Sequence, residues 1–126
     1  MEKRPLDRTD LRVSALCLGT MTWGEQNDEP QAFAQIDRAK AAGVNFIDTA
    51  EMYPVPPRPE TYATTERYIG NYFKSRGSRA DWILASKVAG PGNGISHIRD
   101  GQLKMNRRHI TAALDASLQR LQTDWI

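Results

Sequence analysis

The stretch GVNFIDTAEMYPVPPRPET, residues 43–61, decides the fold. It opens on a glycine, continues as the short apolar run VNFID (44–48), and passes at once into a loop carrying two acids, a tyrosine and four prolines. An apolar run of that length bounded by turn signals is a strand, and an acid at its end marks the rim of a sheet. Two further runs have the same character, VSALCL (13–18) and WILASKV (82–88). Each reads as a strand buried on both faces, as in a parallel sheet.

Helical patterns fill the gaps. Asp28, Glu29 and Pro30 form a helix start, Ala32, Phe33, Ile36 and Ala39 follow a helical period, and Gly43 supplies the stop. A second helix is expected from about Thr64 to Ser75, with Glu66 in its first turn, Ile69 and Phe73 one turn apart, and Gly77 beyond its end. A third starts at the capping residue Asn106 and places Ile110, Leu114, Leu118 and Leu121 on one face. The segment RPLDRTDLRVS, ahead of the repeats, predicts a small hairpin around an RTD turn.

Strand, helix, strand, helix, strand, helix specifies a parallel sheet wrapped by crossovers. Two architectures share that rhythm. A dinucleotide-binding doubly wound sheet would carry G-x-G-x-x-G after its first strand, and a P-loop protein G-x-x-x-x-G-K-[ST]. The first strand instead runs into LGTMTWGEQNDE, where Gly19 and Gly24 fit neither pattern. The favoured fold class is therefore α/β, a (β/α)8 TIM barrel, with a flavodoxin-like sheet as runner-up. Only about three βα units are present, and DWI (124–126) resembles the opening of a fourth strand. Such a barrel takes about 250 residues, so the 126 residues are expected to be an incomplete N-terminal piece of one barrel domain, spanning 1–126.

Composition narrows the partners. There are 17 Lys and Arg against 15 Asp and Glu, interspersed, which argues against nucleic acid or an anionic membrane as partner. No run approaches the roughly 20 apolar residues of a membrane span, and MEKRPLDRTD lacks the core of a signal peptide. The expected compartment is the cytoplasm. Cys17, the one cysteine, lies within an apolar run and is expected to be packed and inert.

In a barrel, chemistry collects at the C-terminal ends of the strands. Asp48 ends the second strand, Tyr53 follows five residues later, and Lys87 stands near the end of the third. Adjacent strands lie about 4.8 Å apart, so an acid and a lysine on neighbouring strands can pair beneath the tyrosine. A phenol of unperturbed pKa about 10 is a weak acid at neutral pH, and a nearby ammonium group favours its anion. The acid would keep the lysine charged and in place. Such a trio makes a proton donor for a carbonyl oxygen. Each member alone has a plainer role: Asp48 could cap its turn, Tyr53 could pack on a proline, and Lys87 could be solvated.

GTMTWG, FIDTAEMY and ILASKV together resemble the first three strand ends of the aldo-keto reductases, and GTMTWGEQN with AEMYPVPPRPET is similar to the Tas-like bacterial branch. The resemblance implies a (β/α)8 barrel and the cofactor NADP(H), bound across the mouth without a Rossmann motif. It implies Tyr53 as proton donor, Lys87 as modulator of its acidity, and Asp48 as the partner of Lys87. It also implies that Gly19, Thr20, Met21 and Asp48 approach the nicotinamide end, and that Trp23 and Tyr53 line the pocket for a small carbonyl substrate. No metal is expected, and oligomeric state is unassigned.

Pro54, Pro56, Pro57 and Pro59 restrict the loop and hold Tyr53 near its target. That family's further catalytic histidine follows a fourth strand. His97 and His109 do not match it and are expected to be ordinary surface residues. Weak stability and no reductase activity are expected of these residues alone. The alternative is a non-enzymatic truncated product, or a half-barrel completed by a partner.

Overall fold

The computed structural model describes residues 1–126. The chain opens with the expected hairpin: β1 (Lys3–Pro5) pairs antiparallel with β2 (Arg12–Ser14). Thr9 closes its turn by donating both its N–H and its hydroxyl to the Leu6 carbonyl. Three βα units follow. In order they are β3 (Leu18–Gly19), α1 (Glu29–Ala41), β4 (Phe46–Asp48), α2 (Thr64–Arg76), β5 (Ile83–Ala85) and α3 (Arg107–Leu121). The three strands form a parallel sheet in the order β3-β4-β5, with Gly19 beside Asp48 and Asp48 beside Ala85.

The helix boundaries follow local chemistry. Asp28 caps α1, its carboxylate accepting the Gln31 N–H while the Gln31 side chain accepts the Asp28 N–H. The two bonds satisfy donors that the first turn would otherwise leave free. Gly77 ends α2 in a left-handed conformation, donating to the Phe73 carbonyl. Asn106 caps α3 through the His109 N–H.

One face of the sheet is closed and the other open. Ile47 and Leu84 point into a core shared with Ile36 of α1, Ile69, Tyr72 and Phe73 of α2, and Leu121 of α3. Their strand neighbours Phe46, Asp48, Ile83 and Ala85 face the other way and are only partly covered. The expectation of strands buried on both faces is thus corrected: the helices cover one face, and the residues of the other are only partly buried.

Four other expectations change. The run VSALCL is not one strand, because Val13 and Ser14 belong to the hairpin and only Leu18 to the parallel sheet. Cys17 is exposed rather than packed, since its neighbour Leu18 turns toward α1 and the thiol is left on the open side. Partial burial, and secondarily the Asp48 charge, push its pKa up and keep it a thiol. On α3 the buried stripe is Ala113, Ser117 and Leu121, while Ile110 and Leu114 remain exposed. Residues 124–126 form no strand. Arg79 holds that segment instead, donating to the Trp125 carbonyl at 2.7 Å and stacking on its indole at 3.5 Å.

Tyr72 joins α2 to α1 by donating its hydroxyl to Asp37 at 2.7 Å. Burial, then the hydrogen bond to Asp37, raise its pKa to about 12. The neutral phenol is thereby favoured in the folded chain. The stability it contributes is complete below pH about 10, the unfolded value, and is lost as pH rises toward about 12. Tyr72→Phe is expected to cost about 1 kcal/mol at neutral pH and to flatten the alkaline decline. Urea unfolding across that pH range checks both.

Candidate active site

The loops that follow β3 and β4 are locked together. Val55 donates its N–H to the Met21 carbonyl at 2.9 Å, and Arg58 pairs with Glu25 at 2.6 Å. Thr65 donates its hydroxyl to the Trp23 carbonyl at 2.6 Å. Gly24, with φ +102, lies so close to Thr64 that any Cβ there would collide with its side chain. The proline loop, with cis bonds at Tyr53–Pro54 and Val55–Pro56, is held on this base.

Asp48, Tyr53 and Lys87 converge at the C-terminal edge of the sheet. Lys87 Nζ donates to Asp48 Oδ1 at 2.8 Å and Oδ2 at 2.7 Å, and also to the Thr49 carbonyl at 2.7 Å. The same ammonium lies 5.0 Å from the centroid of the Tyr53 ring, within reach of a cation–π attraction. Asp48 and Lys87 leave 41% and 48% of their side-chain surfaces open, so the cluster is accessible to a small molecule. An ammonium held by three oxygens beside a phenol can stabilise negative charge where a proton departs.

The other expected residues divide. Gly19 and Met21 are exposed at the same mouth, and a Cβ at Gly19 would meet nothing within 4 Å. The surface over Gly19, beside Asp48, is therefore open. Thr20 turns inward: its side chain is buried and its hydroxyl donates to the Asp48 carbonyl at 2.9 Å, so it fixes Asp48 from behind. Trp23 is corrected outright. It is fully buried, bonds Gln35 of α1 through its indole N–H at 2.8 Å, and offers no surface to a pocket, because the large ring is what closes the gap between the first loop and α1.

His97 and His109 are half-buried rather than free on the surface. The former sits edge-on to Tyr62 at 5.4 Å. Sequence reasoning also missed two buried carboxylates. Glu66 accepts from Ser86, the residue before Lys87, at 2.6 Å and from Arg120 at 2.7 Å. Glu51 accepts from Ala89 and Arg99. Glu51 stands in the proline-rich stretch, two residues before Tyr53, and its partner lies 48 residues away in a loop, where spacing carries no signal.

Three parallel βα units thus bring an acid, an amine and a phenol together at their strand ends. Residues 15–126 match the model of the aldo/keto reductase family, and the chain belongs to that family. Over its full length it is 53% identical to Protein tas of Escherichia coli, covering 36% of that protein. It is 42% identical to the uncharacterized oxidoreductase YrpG of Bacillus subtilis, again over the whole chain and 38% of the relative. The holo form of an aldo-keto reductase from Bacillus halodurans superposes with a TM-score of 0.74 at 34% identity, over 100% of this chain and 38% of that one. The fold is accordingly that of the N-terminal portion of a TIM barrel, and the chain spans little more than a third of the length of these relatives. No helix is long and apolar enough to cross a membrane.

Proposed function

We propose that this chain carries the proton-donating part of an NADPH-dependent reductase site that turns a small aldehyde or ketone into an alcohol. The observation that carries the reading is the contact of Lys87 Nζ with both Asp48 oxygens at 2.7 to 2.8 Å and with the face of Tyr53 at 5.0 Å. Bound NADPH supplies the hydride. Tyr53 gives its hydroxyl proton to the carbonyl oxygen, and Lys87, held in place by Asp48, stabilises the phenolate left behind. Gly19, Met21 and Asp48 would floor the nicotinamide end, with Thr20 acting through Asp48. The compartment proposed is the cytoplasm.

The only partly covered inner face of the sheet supports a second proposal, that these residues act only when further strands complete the barrel, from the same chain or from a partner. The test is NADPH oxidation with an aldehyde, measured on the 126 residues alone and on a fusion to the remaining residues of the E. coli relative, 53% identical over this span. Turnover by the fusion and none by the chain alone is expected. A folded but inactive fusion rejects the reductase reading, and an active isolated chain rejects the need for completion.

A further inference from the structure

We propose that Glu51 and Arg99 form a buried latch whose role is to position Tyr53 against Lys87. The inference rests on the reductase reading and adds two residues to it, neither of which touches the reacting atoms.

The site's own bonds do not explain its geometry. The Asp48–Lys87 pair is nearly half exposed, and an exposed ion pair contributes about 0–1 kcal/mol and restrains its side chains weakly. Behind it lies a different kind of contact. Glu51 is buried, with 1% of its side chain exposed. Its Oε1 accepts the Ala89 N–H at 2.6 Å and Arg99 Nη1 at 2.8 Å, and its Oε2 accepts Nη1 at 2.7 Å. Arg99 Nη2 donates to the Ala89 carbonyl at 3.1 Å, and the Glu51 N–H donates to the Lys87 carbonyl at 3.1 Å. One residue thus sits two positions from Tyr53 and bonds the backbone on both sides of Val88, fixing the segment that carries Lys87. The planar fork of arginine closes the ring by reaching Glu51 and Ala89 from two nitrogens held in one plane, a geometry that a lysine ammonium does not fix.

The backbone at Arg99 is strained to make this reach. Arg99 and Asp100 have φ of +44 and +53. A left-handed L-residue costs about 1–2 kcal/mol, and such conformations persist where the surroundings over-determine them. A buried ion pair is a poor device for stability alone, since apolar replacement is often neutral. Its use here is to fix a geometry.

The test is nuclear magnetic resonance on this chain, reading the Overhauser contact between the Lys87 ε-methylene and the Tyr53 ring. The Phe33–Tyr72 edge contact, 5.3 Å between centroids, serves as internal ruler. In Glu51→Gln/Arg99→Met, which leaves no unpaired buried charge, the Lys87–Tyr53 contact is expected to weaken several-fold while the ruler holds. Ile36→Ala, a core truncation remote from both loops, is expected to lower stability and leave the contact unchanged. An undiminished contact in the double variant, or equal weakening in Ile36→Ala, overturns the latch. Should the double variant not fold, Arg99→Lys reads the same contact, and an undiminished signal there rejects the proposal. Absence of the contact in the unaltered chain would reject the reductase geometry itself, which separates the two failures.

Discussion

Arg120→Met is expected to destabilise the chain by about 3–5 kcal/mol, the cost of leaving a buried carboxylate without its cation. Glu66, in the first turn of α2, is fully buried and divides its oxygens between Ser86 at 2.6 Å and Arg120 Nε at 2.7 Å. Removal of the guanidinium leaves the hydroxyl of Ser86 as the remaining donor. The helices cannot shift to admit compensation, because Gly70 lies against the backbone of Arg120 and Leu121, where even a single Cβ would collide with the Arg120 carbonyl. The loss is large against the roughly 5–15 kcal/mol by which domains are stable. Urea unfolding should show a lowered midpoint at unchanged slope. Glu66→Gln/Arg120→Met, which removes the charge as well, should recover most of the loss. A cost below about 1 kcal/mol for the single change, the range of exposed pairs, would mean that the pair is hydrated and not part of the core.

The legible parts of this fold are those written in neighbouring residues. Asp28 with Gln31, and Gly77 after Phe73, place helix ends through bonds three or four residues long. The rule that strand ends share a rim brings Asp48 to Lys87 across 39 residues, because the parallel register itself puts their strands side by side. What the sequence hides is packing. VSALCL contains a bend between a hairpin strand and a sheet strand, and its mostly apolar letters do not mark where one ends and the other begins. On α3, close approach to Gly70 of α2 leaves room for small residues, so Ala113 and Ser117 are buried where hydropathy favoured Ile110 and Leu114. Trp23 sits in a mouth loop yet closes the core. The two buried ion pairs join residues 48 and 54 positions apart, with no periodicity to announce them.

In the fusion that completes the barrel, Tyr53→Phe is expected to lower kcat/KM for an aldehyde by about 10²–10⁴, the usual worth of a positioned general acid. Phenylalanine keeps the ring that Lys87 faces at 5.0 Å and removes only the proton. The fall should therefore appear chiefly in kcat. Lys87→Met keeps the proton and removes the charge that stabilises its departure, so activity should fall on a similar scale. Asp48→Asn should cost less. Lys87 retains its bond to the Thr49 carbonyl at 2.7 Å, leaving the ammonium tethered without its counter-charge. An ion pair this exposed is worth about 0–1 kcal/mol, so the loss should stay within about one order of magnitude in rate. The order of the three is what discriminates. A loss at Asp48 exceeding that at Tyr53 would make the carboxyl the group that moves the proton and reduce the tyrosine to a wall of the pocket. Losses that fall from Tyr53 and Lys87 to Asp48 follow if the phenol is the donor and the two charges beside it only set how readily it gives its proton up.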